Sequence, residues 1–232
     1  ASAASRLGPL SKKGRHTGMK NIELRKVPCG ETFTAFGEEY VVLDHVDGGV
    51  LSIRKGVWKR APFDRMNNSN LSEADIREDL DDYFQLLKSN GAEDSNLLIQ
   101  HVDLKATDGT RVYGYLDCTV ALLTLEQYGK YKEIIPKVDG AWWLATPVWT
   151  RWLRSPYTFG TDYVWFVFTD GDCRSYLASL SYGIRPALVL PSTLLVSDDG
   201  TVSTNTPPTI TSTSGASGVN LGSKTAAFSF KY

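Results

Sequence analysis

Residues 163–190 read YVWFVFTDGDCRSYLASLSYGIRPALVL, and this stretch decides the fold class. It is dominated by β-branched and aromatic residues, the types that are enriched in strands. An Asp170-Gly171 pair is typical of a turn between two strands. The second half of the chain is therefore predicted to be mainly antiparallel sheet. We predict these strands: Trp142–Ala145, Tyr163–Phe168, Ser175–Ser179 and Ile184–Leu190.

The first half is predicted to combine a β-hairpin with two helices. Asp47-Gly48-Gly49 is a hairpin signal that joins a strand over Glu39–Asp44 to a returning strand over Val50–Arg54. Another strand, Thr32–Phe36, comes before them. Together with the helices, this pattern predicts an α+β fold.

The first helix is indicated by an apolar stripe at spacings of three and four residues. Ser72 is predicted to cap it, with Asp75 at the third helical position, and Asn90-Gly91 to end it. Thr124 and Gln127 predict a second capping box, which opens a shorter helix through about Lys132. The stripe of the first helix consists of Ile76, Leu80, Tyr83, Phe84 and Leu87.

Composition excludes several classes of partner. The chain has 25 basic and 26 acidic residues, so it lacks the basic surplus of nucleic-acid-binding proteins. No apolar run approaches the roughly 20 residues that a membrane helix needs. We therefore expect neither nucleic-acid binding nor membrane insertion.

The cysteines and histidines do not suggest a metal site or a disulfide framework. Cys29, Cys118 and Cys173 lie far apart in sequence, and the three histidines do not cluster. Asp162, Asp170 and Asp172 carry oxygens that suit a hard cation, but Asp-Gly turn chemistry explains them better. We expect no metal and no cofactor.

The chain divides into three parts. Residues 1–20 have basic residues without a following apolar segment, which indicates a flexible lead-in rather than a secretion signal. Residues 21–198 form the main domain, which ends in a hairpin, Thr193–Ser197 with Thr201–Ser203. Residues 199–232 are rich in Ser and Thr. They are interpreted as a linker and the start of a truncated β module, or as a strand, Ala226–Tyr232, that docks onto the domain.

Two motifs carry a family resemblance, Trp142-Trp143-Leu144-Ala145-Thr146-Pro147 and Ser181-Tyr182-Gly183-Ile184-Arg185-Pro186-Ala187-Leu188-Val189-Leu190. The pair resembles a family of bacterial and phage domains with a C-type-lectin fold, which formylglycine-generating enzymes share. It is also similar to the variable proteins of diversity-generating retroelements. The similarity extends over residues 27–198. The tail resembles the start of immunoglobulin-like modules in phage tail and surface proteins.

The resemblance implies a C-type-lectin-like fold with a scaffold and a ligand surface. Gly183 is expected at a tight backbone turn, and Arg185 in an ion pair or bonded to loop carbonyls. Of Trp142 and Trp143, one is expected in the core and the other near the ligand face. The implied scaffold consists of Trp142, Trp143, Gly183, Arg185 and Pro186.

The segment Trp149–Tyr182 is unusually rich in large aromatics and arginines, which provide rigid contact area and forked donors in binding surfaces. We expect Tyr157, Phe159, Arg174 and Tyr176 to be exposed, and Val164, Trp165 and Val167 to be core. The predicted ligand surface consists of Thr150, Arg151, Arg154, Tyr157, Thr158, Phe159, Tyr163, Phe166, Phe168, Cys173, Arg174, Tyr176, Leu180 and Tyr182.

Composition also agrees with diversification of this segment. Lys, Glu, Gln and Met occur 25 times in residues 1–137 and not once in residues 138–182, where that density predicts about eight. Adenine-directed mutagenesis of AAC or AAT codons cannot produce these four residues. The absence continues to Ser223, and Trp149, Trp152 and Trp165, which such codons cannot produce either, are expected to be fixed.

Three functions are compatible with the sequence. The first is a receptor-binding display protein or adhesin, on a phage tail or fibre or at a cell surface, whose partner is a protein or glycan receptor. Such assemblies are commonly homotrimers. The second is a glycan-binding lectin, although the calcium-binding triplets of that family, such as Glu-Pro-Asn, are missing. The third, an enzyme with a paired-cysteine copper site, requires Cys118 to approach Cys173, and we expect no enzymatic activity.

Overall fold

The computed structural model describes residues 21–148, 162–197 and 202–203. The predicted lead-in over residues 1–20 and nearly all of the predicted tail over residues 199–232 lie outside these ranges. Residues 149–161 lie outside them as well.

The described residues form an α+β structure whose elements we number in chain order. Two short 3-10 turns, Leu24–Lys26 and Asp94–Asn96, accompany them. The helices are α1 (Ile76–Ser89) and α2 (Leu125–Tyr131). The strands are β1 (Ile22–Glu23), β2 (Thr32–Ala35), β3 (Glu38–Val46), β4 (Gly49–Arg54), β5 (Lys59–Pro62), β6 (Gln100–Asp103), β7 (Tyr115–Cys118), β8 (Val120–Ala121), β9 (Trp142–Pro147), β10 (Tyr163–Val167), β11 (Cys173–Leu177), β12 (Ser181–Ile184), β13 (Ala187–Pro191), β14 (Leu195–Val196) and β15 (Val202–Ser203).

Two five-stranded sheets form the centre of the domain. Sheet I has the order β11-β10-β9-β12-β5, and sheet II has the order β2-β3-β4-β13-β8. A three-stranded sheet, β1-β14-β15, and a two-stranded sheet, β6-β7, complete the described part. Within it, β9 and β12 make the one parallel pairing, through Gly183 and Trp142, and the other strand pairs are antiparallel.

The two helices cover different sides of these sheets. α1 packs Leu80 and Tyr83 into a large apolar cluster that includes Trp143 of sheet I and Val42 of sheet II. α2 places Tyr128 in a second cluster, together with other buried residues of both sheets. Both faces of sheet I are therefore covered in its middle, and burial of these apolar side chains is the main stabilising contribution.

Most predicted strands are confirmed, but one of them is two separate strands in the structure. The predicted strand Ile184–Leu190 is broken at Arg185 and Pro186, so β12 joins sheet I and β13 joins sheet II. Pro186 has no backbone N–H to continue a ladder, which explains the break. The strand predicted over Ser175–Ser179 is displaced by two residues, because β11 begins at Cys173 and ends at Leu177.

The start of α1 is also different from the prediction. Asp75 is the residue before the helix and makes no capping hydrogen bond, while the Ser72 hydroxyl donates to the Asn70 side chain over 2.8 Å. The Asp75 carboxylate instead accepts from the backbone N–H of Arg65 at 2.9 Å. A contact with a neighbouring loop therefore replaces the predicted capping box.

The capping box of α2 is confirmed. The Thr124 hydroxyl accepts from the Gln127 N–H at 3.1 Å, and the Gln127 side chain accepts from the Thr124 N–H at 2.9 Å. The hairpin between β14 and β15 also pairs as predicted. Across the described ranges, the model contains no helix that is both long and apolar enough to span a membrane.

Candidate functional site

The β10–β11 hairpin carries the described part of the predicted ligand surface. Its strands are antiparallel, with Phe166 opposite Arg174 and Val164 opposite Tyr176. Opposite residues of an antiparallel pair point to the same side of a sheet. These four side chains therefore share one face, yet Val164 and Phe166 are buried whereas Arg174 and Tyr176 are exposed.

The buried half of this face is a row of aromatic rings that runs across sheet I, which we call the aromatic row. It consists of Phe63, Trp143, Phe166 and Tyr182. The Trp143 ring lies 5.8 Å from Phe63 and 6.1 Å from Phe166 in edge-on contacts, and 4.7 Å from Tyr182. Phe166 and Tyr182 are 4.4 Å apart. The Trp143 indole N–H donates to the Ala61 carbonyl at 3.0 Å, so the one polar atom of that ring is satisfied.

The exposed half we call the shelf, which consists of Phe168, Arg174, Tyr176 and Leu180. Tyr176 is 49% exposed, and Phe168 and Leu180 are 36% exposed each. The Arg174 guanidinium lies 4.0 Å from the Phe168 ring centre and pairs with Asp170. The shelf thus offers two rings, an aliphatic side chain and a forked donor, a combination that is typical of binding surfaces.

Contacts with a separate loop fix the end of the shelf. The backbone N–H of Ser179 donates to the Asn67 side chain at 2.9 Å. The carbonyl of Ala178 accepts from the N–H groups of Phe63 and Asp64, at 2.8 and 3.1 Å. Asn67 itself has a φ of 62°, a left-handed conformation that Asn tolerates better than most residues. The turn that carries Leu180 is therefore held through its backbone groups at Ala178 and Ser179, and not through the side chains of the turn.

The structure places the predicted surface residues in different environments. Arg174 and Tyr176 are exposed as expected, and Val164 and Val167 are buried as expected. Trp165 is half-buried, and its indole N–H donates to the Thr107 hydroxyl at 2.9 Å. Tyr163, Cys173 and Tyr182 are half-buried. The predicted residues outside the described ranges are Thr150, Arg151, Arg154, Tyr157, Thr158 and Phe159.

Phe166 requires a correction. It is only 4% exposed and packs inside the aromatic row, so it is not part of an accessible surface. β10 is an inner strand with neighbours on both sides, β9 and β11. Phe166 also belongs to the same apolar cluster as the buried residues of α1. A ligand that binds the shelf contacts Phe166 only if the core rearranges.

The two tryptophans of β9 also differ from the expectation. Neither is itself exposed, because Trp142 is 2% exposed and Trp143 is fully buried. They point to opposite sides of the strand, Trp143 into the cluster with α1 and Trp142 into the cluster with α2. Each side of sheet I is therefore anchored by one of them.

Gly183 is needed for close packing and not for a tight turn. It lies within β12 opposite Trp142, and its φ is not in the left-handed region. A Cβ atom there would come within 2.8 Å of Val57 and 3.1 Å of the Ala141 carbonyl oxygen. The position has no room for a side chain, which corrects the expectation of a turn.

Arg185 bonds to loop carbonyls, one of the two predicted arrangements. Its Nε donates to the Arg54 carbonyl at 2.8 Å and its Nη2 to the Lys55 carbonyl at 2.7 Å. It forms no ion pair with any described residue, although it is fully buried, and its neighbour Pro186 is buried as well. Burial away from water lowers the pKa of Arg185 to about 10.

The cysteines are free thiols. Cys118 is buried at the end of β7, and Cys173 is half-buried at the start of β11. Burial raises the pKa of both thiols, which keeps them protonated and poorly nucleophilic at neutral pH. In the ranges that the model describes, His, Cys, Asp and Glu form no cluster of three that could hold a metal ion.

Sequence reasoning missed the residues that fix the shelf. Asn67 lies in a stretch that the sequence identifies only as a loop, and its contact with Ser179 joins residues far apart in the chain. The Asn67-Asn68-Ser69-Asn70 run does favour positive φ and side-chain-to-backbone bonds. That local signal does not identify which strand end the loop contacts.

Comparison with known proteins gives one match. Residues 103–192, well under half of the chain, are similar to the family described as Domain of unknown function (DUF6273). This range includes α2, β9 and the β10–β11 hairpin with the shelf. No curated protein and no solved structure matches the chain.

Proposed function

We propose that the protein is a binding protein that displays a variable, aromatic-rich surface to a protein or glycan receptor, and that its domain has a C-type-lectin-like fold. The shelf is the described part of this surface, and the segment from Trp149 to Asp162 supplies the rest. The setting is a phage tail or another surface structure, and a homotrimer is the expected assembly. Binding needs no cofactor and no catalytic group.

The observation that carries the proposal is the contrast on one face of the β10–β11 hairpin. Phe166 and Val164 are locked into the core, while their cross-strand partners Arg174 and Tyr176 project into solvent. A large exposed tyrosine beside an arginine that stacks on a phenylalanine contributes little to folding and much to contact with a partner. Such positions can change without disturbing the body that holds them.

Glycan binding is the second candidate, and the same rings favour it. Exposed aromatic faces stack on sugars, and the Arg174–Asp170 pair provides polar groups next to Phe168. Because the calcium-binding triplets of C-type lectins are missing from the sequence, such binding is expected to be independent of calcium.

Sequencing of this locus from related isolates tests the diversification. The proposal predicts replacements concentrated in residues 149–182, at exposed positions such as Arg174 and Tyr176, and invariance at Trp143 and Phe166. Replacements spread evenly over the chain, or an invariant shelf, would contradict it.

A binding assay tests the function directly. The labelled full chain is applied to panels of bacterial cells and to a glycan array, with and without calcium, beside the double variant Arg174→Ser/Tyr176→Ser. Saturable binding to some cells or glycans that the double variant loses supports the proposal. Binding that the variant retains in full places the receptor contact elsewhere and overturns the role of the shelf.

A further inference from the structure

A second feature of the hairpin is centred on the side of sheet I opposite to Arg174 and Tyr176, and Phe168 of the shelf also lines it. It is a cleft of about 390 Å³ between the segment after α2 and the turn at residues 168–172. Trp142 and Val167 line it, and both are almost completely buried. The volume is in the range of sites for small molecules.

Two cations border this cleft, and neither forms an ion pair with a described residue. Arg185 is fully buried in its wall, and its Nη1 has no hydrogen-bond partner among the described residues. Its guanidinium lies 5.1 Å over the Trp142 ring. Lys137 is exposed at the rim and forms no ion pair with any residue that the model describes. Buried charged groups in proteins are usually paired, so an unpaired arginine is a reason to look for an anion.

These two cations approach the same place. The Tyr128 hydroxyl donates to the Gly171 carbonyl at 2.8 Å, and Tyr128 and Arg185 both line the cleft. A Cβ atom built on Gly171 would lie 3.6 Å from both the Tyr128 hydroxyl oxygen and Cε of Lys137. Gly171 has a φ of 93°, so this arrangement depends on a position that favours glycine.

The acidic residues of the cleft are mostly occupied. Asp170 pairs with Arg174, and Glu133 lies 3.9 Å from the ammonium of Lys132. Asp172 is the remaining carboxylate of the wall. Lys137 and Arg185 together outweigh it by one positive charge, which matches a singly charged anion better than a doubly charged one.

We propose that this cleft binds a small organic carboxylate, which contacts the Lys137 ammonium directly and lies above the buried charge of Arg185. A carboxylate balances the one positive charge that Asp172 leaves uncompensated in this cleft. The apolar part of the ligand then lies along the cleft wall beside Phe168. The cleft shares Phe168 with the shelf, whereas Arg174, Tyr176 and Leu180 do not line it.

The test uses butyrate as the probe, with phosphate and butylammonium as comparisons, titrated into the full chain. Binding is followed by the amide chemical shift of Gly171 and by calorimetry. We expect saturable binding of butyrate within the millimolar range, about 1–10 mM, which added salt weakens. Butylammonium should not bind, and phosphate should bind more weakly than butyrate.

Matched variants locate the site. Lys137→Gln should weaken butyrate binding about tenfold, whereas Lys105→Gln, which removes a lysine from another cleft, and Tyr176→Ser on the shelf should leave it unchanged. Arg185→Lys is informative only if its circular dichroism matches the parent, and the Lys137 result stands without it. No saturation up to about 50 mM, tighter binding of phosphate, or equal affinity in Lys137→Gln would overturn the proposal.

Discussion

β9 and β11 belong to the same sheet and are separated only by β10, yet their side chains lie in opposite environments. All six residues of β9 are buried. In β11, exposed residues, Arg174 and Tyr176, alternate with half-buried ones. One sheet therefore contains both a strand that fixes the fold and a strand whose outward residues are free to serve another purpose.

The position of each strand explains the difference. β9 has a neighbour on each edge, and both apolar clusters cover it. β11 is at the edge of sheet I within the described part of the chain, and its residues Arg174 and Tyr176 are exposed. Substitutions in β9 should therefore change stability, whereas substitutions on the outer face of β11 should change mainly binding.

The largest effect is expected for Trp143→Ala. Loss of this fully buried ring removes the centre of the aromatic row and leaves a cavity, at a cost of about 4–5 kcal/mol in the free energy of unfolding. Urea denaturation measures it. Trp165→Ala, in the half-buried neighbour on β10, is the control and should cost less than half as much. Equal costs would contradict the link between the burial of a ring in this sheet and its contribution to stability.

Phe166 and Tyr176 lie on the same face of one hairpin, and their substitutions should differ clearly in effect. Phe166→Ala should reduce the free energy of unfolding by about 3–4 kcal/mol, because the ring packs against Trp143 and Tyr182. Tyr176→Ala on the adjacent strand should change it by less than about 0.5 kcal/mol. A large loss for Tyr176→Ala would show that the shelf is part of the core.

Local signals in the sequence predicted much of this architecture. The Thr124–Gln127 capping box and the hairpin turns depend on residues a few positions apart, and both are confirmed. The start of α1 was predicted wrongly because Asp75 bonds to Arg65, which belongs to a different loop. Propensity does not report such contacts between separate segments.

The division of the hairpin into core and shelf could not be predicted from the sequence. Phe166 and Tyr176 are both large aromatic residues, and they lie in adjacent strands. Their burial depends on how many strands and helices lie beside each strand. The short strand β5, which pairs with β12 and completes sheet I, was also missed, because Lys59-Arg60-Ala61-Pro62 has no strand-like pattern.

A moderate effect is expected for Asn67→Ala, which removes the side chain that anchors the shelf. The loss of the bond to Ser179 and the positive φ at this position should together cost about 1–2 kcal/mol. Thermal unfolding measures it. Asn67→Asp keeps an acceptor oxygen and should stay close to the parent, so an equal loss in both variants would contradict the anchoring role.

The smallest effect is expected for Arg174→Gln. Its ion pair with Asp170 is about half exposed, and such pairs contribute little, so the free energy of unfolding should change by less than about 0.5 kcal/mol. The control is Arg54→Gln, which breaks a largely buried pair with Glu38 and a bond to the Val57 carbonyl, and should cost clearly more. Chemical denaturation at low and high salt compares them.

Two libraries of the full chain test the central claim, that a fixed body carries a replaceable surface. One randomises Phe168, Arg174, Tyr176 and Leu180 of the shelf, and the other randomises the four residues of the aromatic row. The fraction of clones that resist proteolysis on a display surface is the measured quantity. We predict that most shelf clones remain folded and almost no aromatic-row clones do, and similar fractions in the two libraries would contradict the account.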